Sequence, residues 1–176
     1  MPHIETQFKL YADGGVIGQN PSAVGGTWAW RQVSEVPGTG DVVGASNAGV
    51  ITPKEAGMLA ISNNLTEMLA VLRGLESLPA DWVGTVCSDS QVTLGRLFAG
   101  WKWTNIPLWM HQLYQEQAKR LVYWSAIRHQ LLAGHPTRAQ LQAGAGHSGL
   151  PVSEHNKWCD AMCGLAAEAH LKAGVR

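Results

Sequence analysis

Along the first fifty residues, apolar residues occur in short runs or alternate with polar ones, which is typical of strands. Stretches that contain glycine and proline separate these segments. The segments with this pattern are 8–12, 25–33 and 42–51. A turn-forming stretch at 37–40 separates the last two, and short connections of this kind join antiparallel neighbours. The pattern therefore predicts a meander of three antiparallel strands. We expect the first strand to end at Asp13, before a turn at Gly14 and Gly15.

Beyond residue 60 the spacing of apolar residues becomes helical. The stretch from Leu65 to Leu75 has this spacing, and Ser62 or Asn63 can cap it, which would place Glu67 in the first turn. Further helices are predicted at 92–98, 108–123 and 155–173, and further strands at 83–88 and 127–133. Strands that alternate with helices in this order predict an α/β fold, which we expect to be a single domain over residues 1–176.

The composition fits one globular core and gives no overall attraction to a polyanion. Hydrophobic residues make up 45% of the 176 residues and charged residues 15%. This is an ordinary globular composition, except that the share of charged residues is low. Thirteen basic and thirteen acidic side chains give a net charge of zero. Any contact with nucleic acid must therefore be local.

Cysteine usage indicates a reducing compartment. The chain has three cysteines, an odd number, and neither a secretory signal nor a long apolar run, so we expect a cytoplasmic protein without membrane contacts. Cys159, Cys163 and His155 share one face of the predicted last helix, a spacing that could ligate zinc. No fourth ligand is evident, and we interpret the cysteines as buried helix residues.

Four acids stand in contexts that predict a strand or a helix to hold them. These are Asp13 in Tyr-Ala-Asp-Gly-Gly, Glu67 in Ser-Asn-Asn-Leu-Thr-Glu, Asp89 in Cys-Ser-Asp-Ser-Gln and Asp160 in Asn-Lys-Trp-Cys-Asp. Each acid alone also fits a structural role, as a turn former, a helix-start acid or an exposed helix residue. If the fold brings the four together, they cannot all ionise without a compensating cation. The sequence therefore suggests a divalent-metal site.

The order of the elements and these four motifs together resemble the type 1 ribonuclease H family of the ribonuclease H-like superfamily, over nearly the whole chain. The resemblance implies a five-stranded mixed sheet, with three antiparallel strands followed by two parallel ones, flanked by helices. It also implies that Asp13, Glu67, Asp89 and Asp160 hold two Mg²⁺ ions, with Mn²⁺ as an alternative. The family's activity is hydrolysis of the RNA strand of RNA–DNA hybrids, leaving 5′-phosphate and 3′-hydroxyl ends.

A histidine of the family that assists near the metals follows the last strand in a Gly-His pair, and two such pairs occur here. His135 follows the better strand, whereas His147 lies in the closer literal match, Gly-His-Ser-Gly. We favour His135 and keep His147 as the alternative. Either choice leaves an insertion at 136–154, and Asn156 matches a family asparagine near the site.

The resemblance also assigns contacts to the hybrid substrate. The residues that would make them are Gly14, Gly15, Asn20, Ser62, Asn63, Asn64, Gln91, Trp101 and Asn156. Amides can both donate to and accept from a 2′-hydroxyl, and an aromatic ring can stack beside the sugars of the DNA strand. The asparagines also fit turn and cap chemistry.

Two other functions compete with a hybrid-cleaving, monomeric ribonuclease H. One is a nuclease of the same superfamily that acts on another structured nucleic acid. The other is a binding module that keeps the fold without catalysis, which would predict loss of at least one acid. All four acids are present.

Overall fold

A five-stranded mixed sheet forms the centre of the protein, which a computed structural model describes at residues 5–134 and 149–174. The strands are β1 (Gln7–Val16), β2 (Gly26–Val36), β3 (Gly40–Ile51), β4 (Thr85–Ser88) and β5 (Arg128–Leu131). Their order across the sheet is β3-β2-β1-β4-β5. β1, β2 and β3 are antiparallel neighbours, and β4 runs parallel to both β1 and β5. The predicted α/β fold with three antiparallel and two parallel strands is confirmed.

Helices cover both faces of this sheet. They are α1 (Pro53–Ala56), α2 (Asn63–Glu76), α3 (Gln91–Phe98), α4 (Leu108–Arg120) and α5 (Glu154–Gly174), and Trp124–Ala126 form a 3₁₀ turn. The short helix α1 has a capping box between Thr52 and Glu55. None of the helices in the described residues is long and apolar enough to cross a membrane.

Helix α2 forms the main core with one face of the sheet. Ser62 caps it by accepting a hydrogen bond from the backbone of Leu65. Most of its residues are buried, and the side chains of Leu10 and Ala12 from β1 belong to the same core. Among the helices in the described part of the chain, α2 has the largest share of buried residues.

Helix α5 lies on the opposite face, in a smaller core with Tyr11, Ala29 and Val33. Cys159 and Cys163 are buried there, and the Cys163 thiol donates to the backbone oxygen of Asp13 at 3.6 Å. Burial raises the pKa of the Cys163 thiol to about 12. These cysteines are buried helix residues, as expected, and their thiols remain protonated.

The expected turn at Gly14 and Gly15 is wrong, because both glycines lie within β1. Asp13, Gly14 and Gly15 pair with Ala29, Trp28 and Thr27 of β2. A Cβ atom at Gly14 would lie 2.5 Å from the backbone nitrogen of Glu67. Gly14 is therefore required by the close approach of α2 to the sheet and not by a turn.

Glu67 lies in the second turn of α2, not in the first turn as expected. The helix begins at Asn63, so four residues precede Glu67 within it. This position turns the side chain toward β1, where it is only 6% exposed. An acid in the first turn would be closer to solvent and to the positive helix end.

Candidate active site

Three carboxylates from three separate elements meet at one edge of the sheet. Asp13 comes from β1, Glu67 from α2 and Asp89 from the residue that follows β4. One oxygen of each side chain lies within 4.8 Å of the others. Asp13 and Glu67 are buried, at 2% and 6% exposure.

The strand register explains why the two aspartates are neighbours. β1 and β4 are parallel, and Tyr11 pairs with Cys87. Asp13 lies two residues after Tyr11, and Asp89 lies two residues after Cys87. Both aspartate side chains therefore reach the same edge of the sheet. Such an edge, at the carboxyl ends of parallel strands, is where α/β folds commonly bind ligands.

The fourth acid, Asp160, lines the same cleft from helix α5 but is not part of the three-carboxylate group. The cleft is open to solvent and has a volume of about 330 Å³. Its lining residues are Asp13, Gly14, Asn63, Glu67, Asp89, Ser90, Gly134 and Asp160. Asp160 is exposed, whereas Asp13 and Glu67 are buried.

Glu67 is held in an environment that disfavours its charge. Burial, followed by the negative charges of Asp13 and Asp89, raises its pKa well above the usual range of a glutamate. Its Oε2 atom is buried and has no hydrogen-bond partner among residues 5–134 and 149–174. A buried polar atom without a partner is costly unless something else compensates it.

This arrangement fits a divalent cation. The ligand atoms are all carboxylate oxygens, which Mg²⁺ and Mn²⁺ prefer, and they are close enough to share an ion. A cation would also give the unpartnered Glu67 oxygen a favourable contact and would lower the repulsion among the three acids. Asn156 donates from Nδ2 to Asp89 Oδ2 at 3.5 Å, which restrains one of the ligands from α5.

Comparisons with known proteins find a relative of similar sequence and several solved structures of similar fold. No family model matches the chain. A ribonuclease H from Oleidesulfovibrio alaskensis is 26% identical over 172 residues, which are 96% of this chain and 92% of the relative. Over nearly its whole length the chain is therefore similar to a ribonuclease H.

Solved structures share the fold of this protein. The N-terminal RNase H domain of rv2228c from Mycobacterium tuberculosis, solved as a fusion with maltose binding protein, is similar with a TM-score of 0.61. It is 19% identical, and the match covers 97% of this chain and all of that domain. LC11-RNase H1, solved in complex with an RNA/DNA hybrid, has a TM-score of 0.56 at 17% identity, with 94% of this chain and 99% of that one covered.

The residues expected to contact substrate are only partly gathered at the cleft. Gly14 and Asn63 line it, and Asn156 reaches it through Asp89. The Asn20 side chain accepts a hydrogen bond from the backbone of Asn63 at 3.0 Å, and therefore ties the β1–β2 loop to the start of α2. Gly15 lies in β1, and Ser62 caps α2. Asn64 and Gln91 are exposed near the starts of α2 and α3.

Trp101 lies apart from the acids, after helix α3, and is 45% exposed. Its ring rests on the backbone of Gly95 so closely that a Cβ atom there would overlap it. Because Gly95 has no side chain, the Trp101 ring can pack directly on α3 while part of the ring stays exposed to solvent.

The two candidate histidines, His135 and His147, lie outside the described residues, as does most of the insertion. Gly134, which directly precedes His135 in sequence, lines the cleft. His135 therefore stays the predicted histidine, with His147 as the alternative.

Ser90 lines the cleft and was not singled out from the sequence. Its side chain caps α3 by accepting from the backbone of Thr93, while its own backbone donates to the Ser88 hydroxyl. The Asp-Ser-Gln motif that identified Asp89 contains this residue. A capping serine directly after a site acid is the signal that could have found it.

Proposed function

We propose that this protein is a metal-dependent ribonuclease H that hydrolyses the RNA strand of RNA–DNA hybrids, leaving 5′-phosphate and 3′-hydroxyl ends. The observation that carries the proposal is the meeting of Asp13, Glu67 and Asp89 within 4.8 Å on a ribonuclease H-like fold. These acids are far apart in sequence and come from three elements. No structural need for so costly a cluster is evident in the described part of the chain.

The choice of a hybrid as substrate is supported by the relatives. One is named ribonuclease H, and LC11-RNase H1 was solved with an RNA/DNA hybrid. In this chain, Gly14 and Asn63 at the cleft, with Asn20 behind Asn63, offer short polar groups suited to a minor groove that displays 2′-hydroxyls. Gly15, Ser62, Asn64, Gln91 and Trp101 complete the proposed substrate contacts.

Asp13, Glu67 and Asp89, with Asp160 across the cleft, would hold the two divalent cations, Mg²⁺ or Mn²⁺. When bound, such ions supply activation of the attacking water and stabilisation of charge on the leaving oxygen. The chain's own residues hold the carboxylates in place. Gly14 allows α2 to pack closely against β1, and Asn156 restrains Asp89 by a hydrogen bond. His135, or His147 in its place, would assist proton transfer or product release.

We also propose that the protein acts as a monomer in the cytoplasm. All three cysteines are buried and reduced, which suits a reducing compartment.

The test is cleavage of end-labelled RNA–DNA hybrid, duplex RNA and duplex DNA, each with Mg²⁺ and with Mn²⁺. We expect metal-dependent cutting of the RNA strand of the hybrid alone, with 5′-phosphate ends on the products. Cutting of another substrate in preference to the hybrid would favour the related nuclease function. Hybrid binding without cutting under either metal would favour the non-catalytic module.

A further inference from the structure

Helix α5 contributes Asn156 and Asp160 to the site although little of it is buried. Its buried residues are Asn156, Cys159 and Cys163, and the rest of the helix is partly or fully exposed. A helix that is held by a few contacts can shift more easily than one enclosed in a core. The first turn of α5 therefore needs some other restraint to keep Asn156 on Asp89.

His155, beside Asn156, makes contacts that supply such a restraint. Its Nε2 atom lies 2.7 Å from Oδ2 of Asp41, at the start of β3. Its Nδ1 atom lies 3.4 Å from Nη1 of Arg31 on β2, and its ring packs against Tyr11 of β1 with 5.0 Å between centroids. One side chain thus connects the first turn of α5 to all three antiparallel strands.

The chemistry of these partners fixes how the imidazole is used. A guanidinium only donates hydrogen bonds, so Nδ1 must accept from Arg31. Nε2 then carries the ring proton and donates it to the Asp41 carboxylate. The His155 side chain is 13% exposed, so water competes little for these two bonds.

Arg31 reinforces the same connection one turn further along. Its guanidinium carbon lies 4.4 Å from the ring centre of Trp158, a cation–π contact. The sheet therefore contacts α5 at His155 and Trp158, on either side of Asn156. Asn156 is held where its amide reaches Asp89.

We propose that His155 and Asp41 form a tether that positions helix α5, and that this tether sets how tightly Asn156 and Asp160 support cation binding in the cleft. His155 is a positioning residue in this account and not a catalytic one, because it acts through Asn156 and Asp160. The inference rests on the proposed metal site but not on the identity of the nucleic acid.

Two substitutions of His155 separate the hydrogen bonds from the ring packing. His155→Gln keeps a donor for Asp41 and an acceptor for Arg31, whereas His155→Phe keeps a ring against Tyr11 and loses both bonds. By calorimetric titration of the full chain with Mn²⁺, we expect His155→Phe to weaken binding about tenfold and His155→Gln less than about twofold. Unfolding midpoints of the metal-free variants would check that each is folded.

Asp41→Ala tests the tether from its exposed end, since the Asp41 side chain is 42% exposed and its removal leaves no cavity. We expect it to weaken Mn²⁺ binding as His155→Phe does, and the double variant to be no weaker than His155→Phe alone. The control is Glu154→Gln, on the same helical turn. Glu154 pairs with Lys157 at 3.1 Å in an exposed position, and its loss should leave Mn²⁺ binding unchanged.

Three outcomes would overturn the tether: wild-type Mn²⁺ binding in His155→Phe and Asp41→Ala, equal weakening by His155→Gln, or additive weakening in the double variant. A wild type that binds no Mn²⁺ would overturn both the tether and the metal site. If Mn²⁺ binding follows the expected pattern but the wild type does not cut hybrid, the tether stands and the proposed function fails.

Discussion

Helices α2 and α5 both present an acid to the same cleft, but they are held in very different ways. α2 is enclosed by the main core, and its Glu67 is 6% exposed beside Asp13. α5 packs through a few residues, and its Asp160 is exposed. The site therefore has a fixed part, built from β1, β4 and α2, and an exposed part on α5.

The fixed part carries an electrostatic cost that the exposed part avoids. Burial, followed by the negative charges of Asp13 and Asp89, raises the pKa of Glu67, and the close packing of α2 keeps the side chain beside these two acids. Asp160 is exposed, and solvent screens its charge. We therefore expect substitutions in the two parts to differ in size and in kind.

The largest difference should appear in activity on the hybrid. Glu67→Gln should lower kcat/KM by about 10³-fold, because stabilisation of charge by bound metal contributes several kcal/mol. Asp160→Asn should cost only about 10- to 100-fold, because Asp160 is exposed and water can take its place as a ligand of Mg²⁺. Steady-state cleavage at saturating Mg²⁺ measures both, and equal losses would remove the distinction between the two parts.

The free energy of unfolding should also distinguish the packing of α2 from that of α5. Two glycine-to-alanine substitutions, one at the contact with α2 and one within α5, provide the comparison. Gly14→Ala places a Cβ atom 2.5 Å from backbone atoms of α2, where nothing can move aside, and should cost about 3 kcal/mol in the free energy of unfolding. Gly164 lies within α5 with no atom within 4 Å of an added Cβ. Gly164→Ala should stabilise the protein by about 0.5 to 1 kcal/mol, through helix propensity.

Urea unfolding of the two variants, with metal removed, provides the measurement. Similar values for Gly14→Ala and Gly164→Ala would show that α2 does not need its close approach to β1.

A smaller effect concerns Glu67 in the absence of metal. Because its pKa is raised in the folded state, the folded protein binds the Glu67 proton more tightly than the unfolded chain does. Its contribution to stability is therefore present at low pH and is lost as pH rises from the ordinary glutamate value through the raised pKa. Glutamine does not ionise, so the Glu67→Gln protein does not lose stability in this pH range. Near neutral pH it should be more stable than wild type by about 1 to 2 kcal/mol in the free energy of unfolding.

Urea unfolding at pH 5 and pH 7.5 in a chelator should show the gap between wild type and Glu67→Gln widening with pH. Added Mg²⁺ should stabilise the wild type and leave the variant unchanged. A Glu67→Gln protein less stable than wild type in chelator at pH 7.5 would contradict this account of the buried acid.

Much of the fixed part follows from local sequence. Alternating and apolar segments identified the strands, and the parallel pairing of β1 with β4 brings Asp13, within β1, close to Asp89, just after β4. Helical spacing and the Ser62 cap gave α2, which carries Glu67 to the same edge. These features depend on residues close in sequence, or on strand order.

Other features depend on contacts that no local pattern records. Two glycines in a row favour a turn, and only the approach of α2 shows why Gly14 lies in a strand. The bond between Asp41 and His155 joins residues 114 positions apart. The sequence offered His155 only as a zinc ligand beside Cys159 and Cys163, and Asp41 belongs to no motif, so the sequence alone could not connect the two.

We propose that the three gathered carboxylates make this chain a hybrid-cleaving enzyme. The most direct measurement is Mg²⁺-dependent cleavage of a labelled RNA–DNA hybrid by the wild type, Asp89→Asn and Asp81→Asn. Asp81 is an exposed acid before β4 and serves as the matched control. We predict that the wild type and Asp81→Asn cut the RNA strand and that Asp89→Asn does not. Hybrid cleavage that survives in Asp89→Asn, or is absent from the folded wild type, would contradict the account.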